Sequence, residues 1–359
     1  MAALGSRPTL VTVARLAGVS VASASRVLHG GPATPAMAAK VRAAAEQLGY
    51  VPNAAARSLR AGRTHQFAFA VADVGNPVYV AMIRGIESVI SPLGYRLLVH
   101  STGSDTADEV SLIESLGKRY VDGLIIAPIR DNHRLLRALT AAAAPVVVIG
   151  NLPDGALVDS VPIDSGAGLR LAAEHLVASG RQALALVNGP DDTVPGAERL
   201  AAFESVVTAA GLSGRSATEQ ASDFTYAAGL EAARALLLRF RPDAVIGSND
   251  LLALGAIRAL AERGWTVPGD VAVAGVDDTD LARMHVPSLT SVSLEADIRG
   301  QIAAGMMLSR LAEPGLPPRR HVALPYLVAR ESSQAPGGGM ASGAASAATV
   351  PAPGSAHAG

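Results

Sequence analysis

The sequence predicts a small all-α helix-turn-helix head followed by a two-lobed α/β core with parallel sheets. Three observations predict it. Residues 1–64 hold eight Lys and Arg against one acid, Glu46, a net +7, whereas the rest holds 22 basic and 30 acidic residues, a net −8. The apolar residues of the first fifty positions recur at helical spacing. From Phe67 onwards short apolar runs alternate with amphipathic stretches, the texture of strands covered on both faces by helices. At 359 residues the chain is too long for one ordinary core. With 49% hydrophobic and 17% charged residues, it can bury more than one.

The first helix is read from Leu10, Val13, Ala14 and Ala17, one apolar stripe at i, i+3, i+4, i+7. Gly18 suits the left-handed conformation that ends a helix, and Ser20 stands where an N-cap belongs. A second helix then runs to about Leu28, burying Ala24, Val27 and Leu28 and turning Val21, Ala22, Ser25 and Arg26 outward. Two short helices joined by such a turn form a helix-turn-helix, whose second helix can enter the major groove. A third pattern has Thr34 as cap, Pro35 in the first turn and Met37, Val41, Ala44, Ala45 and Leu48 as its buried stripe, with Gly49 as stop. A basic head of three short helices on an acidic body is the electrostatic layout of a nucleic-acid reader attached to something else. A basic but merely solvated face is the plainer alternative.

The following segment, YVPNAAARSLRAGRT (Tyr50 to Thr64), narrows the choice. Together with VARLAGVS, SRVLH and VRAAAEQLGYVPN, in this order and spacing, it resembles the lac and galactose repressor family of bacterial transcription regulators. The resemblance extends to about Ser332. It implies a DNA-binding domain over residues 8–50, a hinge helix and linker over 51–64, a periplasmic-binding-protein-like effector-binding and dimerisation core over 65–333, and a tail over 334–359. The tail is mostly Gly, Ala, Ser and Pro with no Asp, Glu, Lys or Arg, and is expected to be disordered.

For the head, the resemblance makes the helix after Ser20 the recognition helix, with Val21 and Ala22 at its two main base-reading positions and Arg26 a third. Arg26 can reach a guanine O6/N7 edge. Val21 and Ala22 offer no side-chain donor and suit thymine methyls or simply leave room. Ser20 and Ser25 are expected at phosphates. Asn53 to Arg60 matches the hinge helix, which in the family folds on the operator; Asn53, Ala56 and Arg60 are its DNA-facing candidates, and Leu59 its wedge into the central minor-groove step. Apolar wedges unstack a step and kink the duplex. The plainer reading of Leu59 is an ordinary helix contact.

In the body, strands are read at FAFAV (67–71), YRLLVH (95–100), DGLIIAPI (122–129), PVVVIG (145–150), ALALVNG (183–189), DAVIGSND (243–250) and VAVAGVDD (271–278). Helical stretches are read near 79–93, 106–118, 166–179, 197–210, 227–240, 249–263 and 295–311. So many units exceed one sheet, and two lobes with a cleft accommodate them. Ligands in such folds sit at the carboxyl ends of strands. The polar groups there are Asp73 and Asn76, with Tyr79 beyond, then Arg199, Phe224, Asn249, Asp250 and Asp277. By resemblance Arg199, Asn249 and Asp277 match the family's effector anchors, and Tyr79 and Phe224 its walls. Carboxylate, amide, guanidinium and aromatic groups together suit a sugar or sugar derivative. Each also has a structural reading, Asp250 as a cap of the helix entering Leu251, Asp277 as a cap or brace of a loop and Arg199 as a surface helix residue. Thr193 stands where purine-responsive relatives carry an arginine, which argues against a purine, and the family's aromatic pair after Asn-Pro is here Val78-Tyr79.

No other chemistry is indicated. The absence of cysteine excludes disulfides, thiolate metal sites and cysteine nucleophiles. The eight histidines show no ligand spacing, so no metal is expected. SGAGL (165–169) lacks the third glycine of a dinucleotide loop, and no nucleophile elbow occurs, so neither a cofactor nor an enzyme is expected. No apolar run approaches the ~20 residues that span a bilayer. The N-terminus lacks a signal peptide, so a cytoplasmic, nucleoid-associated protein with no membrane partner is expected. The reading is a dimeric regulator, with a tetramer open, that binds a palindromic double-stranded operator under effector control and acts as a repressor of carbohydrate-utilisation genes. Its rival is a cytoplasmic sugar-binding or sugar-processing protein with a non-functional head, for which Asp73 and Asp277 would be the acid–base pair.

Overall fold

In the computed structural model, which describes residues 8–51, 62–103, 105–130, 132–153 and 155–334, the head has the three expected helices. These are α1 (Leu10–Ala17), α2 (Val21–Leu28) and α3 (Pro35–Gln47). Thr9, Ser20 and Thr34 cap them, each side-chain oxygen accepting a backbone N–H of the first turn. Gly18 ends α1 at φ 66°, where a side chain would be strained, and α1 and α2 meet at a 103° bend. Val13, Ala14, Ala24, Val27, Val41, Ala44 and Ala45 fill the space between the helices. That small shared core fixes the tilt of α2.

The body consists of two sheets. The first has the order β2-β1-β3-β4-β5, formed by β1 (Gln66–Val71), β2 (Arg96–Ser101), β3 (Gly123–Ala127), β4 (Val146–Val148) and β5 (Asp159–Ser160), all parallel. Helices α4 (Pro77–Ile90), α5 (Thr106–Ser115) and α6 (His133–Thr140) accompany it. The second lobe comprises α7 (Ser165–Ala178), β6 (Leu184–Asn188), α8 (Val194–Ala209), β7 (Ser216–Gln220), α9 (Tyr226–Arg239), β8 (Ala244–Gly247), α10 (Asp250–Glu262), β9 (Ala272–Val276), α11 (Asp280–Met284) and β10 (Thr290–Ser293). After α12 (Ala296–Ala312) comes β11 (Tyr326–Val328), antiparallel to β10 in an otherwise parallel sheet. The second sheet has the order β11-β10-β9-β8-β6-β7.

The chain crosses between the lobes three times. It leaves the first after β5, returns through Leu294 and Glu295 so that α12 packs with α4, β3 and β4, and leaves again at Arg320–Ala323. The first and third crossings run side by side, bridged at Ser160 with Arg320 and at Ile163 with Ala323. Asp159, its side chain wholly buried, takes Arg310 at 2.8 Å and Arg319 at 2.9 Å and ties the third crossing to the first lobe.

Four strands escape the sequence reading for physical reasons. β5 is two residues long, β7 (SATEQ) is polar and half-exposed, β10 (TSVS) carries one large apolar residue, and β11 (YLV) is only three residues long. The short helices α6 and α11 escape it as well.

Candidate functional site

The outer face of α2 holds the head's candidates. Val21, Ala22 and Arg26 are exposed, and Ser25 is half-buried. Ser20 is already at work as the cap, its oxygen accepting from Ser23 N at 3.1 Å. Asn53, Ala56, Leu59 and Arg60 lie outside the described residues. The linker has reached the core by Thr64, whose N–H and hydroxyl both donate to Asp122.

Between the lobes lies a cavity of about 420 Å³. Asp73, Asn76, Tyr79, Arg199, Phe224, Asn249 and Asp277 all line it. The fold brings them there from six places. Asp73 follows β1, closing a turn by accepting from Gly75 N at 2.8 Å, and Asn76 caps α4. Tyr79 is buried in the first turn of α4. Arg199 projects from the buried face of α8, which Gly196 brings to the Pro190 carbonyl so closely that a Cβ would lie 1.9 Å from it. Phe224 lies over Gly189, whose missing side chain leaves room for the ring. Asn249 is the cap of α10: its oxygen accepts from Leu252 N at 2.8 Å and its amide donates to the Phe224 carbonyl at 3.0 Å. Its side chain therefore sets the position of the aromatic wall.

Asp250 does not cap the helix entering Leu251, the structural reading open to it, because Asn249 does; it braces the segment after β9 instead. One carboxylate oxygen accepts from the Thr279 N–H and hydroxyl, the other from Ser291 at 2.6 Å. Thr193 is likewise a cap, accepting from Gly196 N and donating to Pro190 O.

The buried floor of the cavity is charged. Arg199 donates to the Ser248 carbonyl and to Ser165, but its Nε has no partner. Asp277, at a left-handed φ of 112°, accepts no side-chain hydrogen bond among the described residues. Burial pushes its carboxyl up to about 6, against the pull of Arg199 and Arg299. Burial, then the Asp277 charge, push Asp250 up to about 7, and the same two causes raise the Tyr79 hydroxyl. Sequence reading missed Arg299, a second guanidinium in this floor and 5% exposed. Its signal was present: Ala296, Arg299, Gly300, Ala303, Ala304 and Met307 form the buried stripe of α12, with an arginine among small residues.

Contacts across the cleft hold the lobes together around the cavity. Val194 N–H donates to the Ile129 carbonyl at 2.8 Å, Arg130 makes two bonds to Asp192 at 3.1 and 3.2 Å, and Asn151 donates to Glu198 at 2.8 Å. No cluster of metal-ligating side chains occurs among the described residues.

Comparison with known proteins places both parts. Residues 9–53 match the family of bacterial regulatory proteins of the lacI type, and residues 173–333 match the periplasmic binding protein-like domain. The HTH-type transcriptional regulator CelR of Thermobifida fusca is 35% identical over 91% of this chain and 98% of its own length. The chain belongs to the LacI family.

The ribose operon repressor of Escherichia coli K12 is 33% identical over 90% of this chain and 99% of its own length. Among solved structures, a lac repressor dimer bound to operator and an anti-inducer superposes with a TM-score of 0.78 at 28% identity, covering 91% of this chain and 99% of that one. A CelR–cellobiose complex superposes with a TM-score of 0.66 at 33% identity, covering 91% and 100%. As a LacI-family member the chain is a DNA-binding transcription regulator, with α1 and α2 its helix-turn-helix and the two lobes its ligand-responsive core.

Proposed function

We propose that this regulator is a dimeric repressor of carbohydrate-utilisation genes, acting in the cytoplasm on a palindromic operator, with a sugar as its effector in the inter-lobe cavity. The observation that carries the reading is the floor of that cavity, where Asp277 and the Nε of Arg199 are buried without partners beside Tyr79 and Phe224. A sugar supplies what they lack, hydroxyls that donate to a carboxylate and accept from a guanidinium, and an apolar ring face for the aromatics. The relatives named for cellobiose and ribose support the class. A ligand that touches both lobes favours one lobe arrangement over another, and that difference is the coupling energy available to the head.

Exposed apolar side chains on both lobes support the dimer. Val80 on α4 and Leu98 and Val99 on β2 are exposed on the first lobe; Leu281 and Met284 on α11 and Val286 beyond it are exposed on the second. Arg84 joins the two sets by donating to Asp280 at 3.1 Å. Exposed apolar side chains grouped in this way mark a protein interface. A two-fold dimer presents two α2 helices to two half-sites. Within it the hinge segments would pair and Leu59 would wedge the central step.

Selection of bound sites from a random DNA pool with the full-length protein tests this reading. A palindrome with fixed half-site spacing is the expected product. Failure to enrich any site across salt concentrations, with or without sugars, would favour the rival sugar-processing reading, and turnover of a sugar would establish it. On the selected site, Leu59→Ala is expected to weaken specific binding far more than non-specific binding; equal loss on both DNAs would remove the wedge.

A further inference from the structure

Arg299 is the part of the cavity that a neutral sugar leaves without an explanation. It is 5% exposed and stands in the first turn of α12, and its guanidinium makes no hydrogen bond or ion pair among the described residues. A helix N-terminus already carries positive potential, so a buried cation is doubly unfavourable there unless something pairs with it. Burial pushes its guanidinium down to about 10, which is the same penalty seen from the proton.

The surrounding carboxylates do not supply the partner. Asp277 is the nearest by its electrostatic effect, but it lies beyond ion-pair distance and is shared with Arg199. Asp250, behind it, is engaged by Thr279 and Ser291. At the more exposed wall, Asp73 and Asp223 accept from Gly75 N and Thr225 N, while Glu198 accepts from Asn151 through one oxygen and leaves its buried Oε2 without a partner. Glu295, half-buried before α12, acts on Arg299 only at a distance and forms no ion pair with it. Arg130 is held by Asp192. The floor therefore presents two guanidiniums and the open carboxylate of Asp277, with one further open oxygen, Glu198 Oε2, at the wall.

Resting on the proposal that the cavity binds a sugar, we infer that the effector is a sugar acid, and that Arg299 selects it by pairing with the ligand's carboxylate while Asp277 and Arg199 take its hydroxyls. The guanidinium fork matches a carboxylate in two parallel hydrogen bonds. The position adds a mechanical consequence. Arg299 rides on α12, packed against α4 in the first lobe, whereas Arg199 and Asp277 belong to the second. A carboxylate at one end of the ligand and hydroxyls at the other would hold the two lobes to each other.

Matched pairs test the inference on the full chain: D-glucuronate with D-glucose, D-galacturonate with D-galactose, and D-gluconate with D-glucitol, followed by thermal shift and calorimetry. At least one acid is expected to bind about tenfold or more tightly than its neutral partner, the scale of one charge-assisted pair. Arg299→Met, which keeps the apolar stem, is expected to erase that preference without lowering the melting temperature of the empty protein. Arg299→Lys, which keeps the charge and loses the fork, is expected to retain part of it, and serves if the methionine variant does not fold. A neutral sugar binding as well as its acid, a preference surviving in Arg299→Met, or no binding by any acid would overturn the inference. Binding of neutral sugars alone would leave the sugar-effector reading standing; binding of neither class would remove both.

Discussion

Asp277 shows how one residue can serve ligand and fold in opposite senses. Its N–H donates to the Val292 carbonyl at 2.8 Å, which holds the backbone at positive φ and the carboxyl in the floor of the cavity. Burial raises that carboxyl from the ordinary 3.8 to about 6, so the folded protein binds the proton more tightly than the unfolded chain does. The group's contribution to stability is thus complete below about pH 4 and is lost as the pH rises through about 6. Asp277→Asn is therefore expected to melt higher than the parent at pH 7 in the absence of ligand. The two should converge near pH 4, while the variant loses sugar binding. Thermal melts of the two proteins across pH 4–8 check this; a variant less stable at neutral pH would show that the carboxylate is held by the two arginines more strongly than burial opposes it.

At the scale of elements, the first lobe depends on two glycines. A Cβ on Gly85 of α4 would lie 2.0 Å from the Asp297 carbonyl, and one on Gly300 of α12 would lie 2.4 Å from that of Met82. The two helices meet backbone to backbone, and this contact carries Arg299 to the cavity. Gly300→Val is expected to destabilise the protein by about 1–3 kcal/mol, the cost of overpacking, and to weaken sugar binding as well. Urea unfolding and calorimetry read the two effects; unchanged stability would mean that the crossing can open. The same scale explains what the sequence made legible. Most strands found were apolar runs such as LALVN of β6, every residue of it buried, and the body helices found were ten residues or longer and, α12 apart, capped by a side chain. The strands missed were polar, short or at an edge, where neither burial nor alternation leaves a pattern. In the cavity, Asn249 and Asp277 were visible at strand ends, and Arg199, within α8, through the motif it stands in. Arg299 was missed because it arrives from a helix that the other lobe claims, a placement that only the third dimension shows.

At the scale of the whole molecule, three crossings and a few cross-cleft bonds set how the lobes move. Asp159 anchors the third crossing. Burial raises its carboxyl, but hydrogen bonds from Arg319 and Arg310 outweigh this and leave it below the ordinary range. Asp159→Asn is expected to cost about 3 kcal/mol, because two partly buried guanidiniums lose their counter-charge. The deficit should shrink as acid protonates the parent's carboxylate; a neutral effect in urea unfolding would assign the strap's stability to its backbone bridges. Asp192→Ala, at the half-exposed cross-cleft pair with Arg130, is expected to lower ligand affinity only a few-fold, mainly through faster release. A switch that joins the cavity to the head makes operator affinity depend on the sugar. The most direct test is the operator dissociation constant of the full-length protein with and without a saturating concentration of the tightest-binding sugar. The account predicts a shift of about tenfold or more, with the reciprocal shift in sugar affinity when operator is present. An operator affinity that saturating sugar leaves unchanged would contradict it.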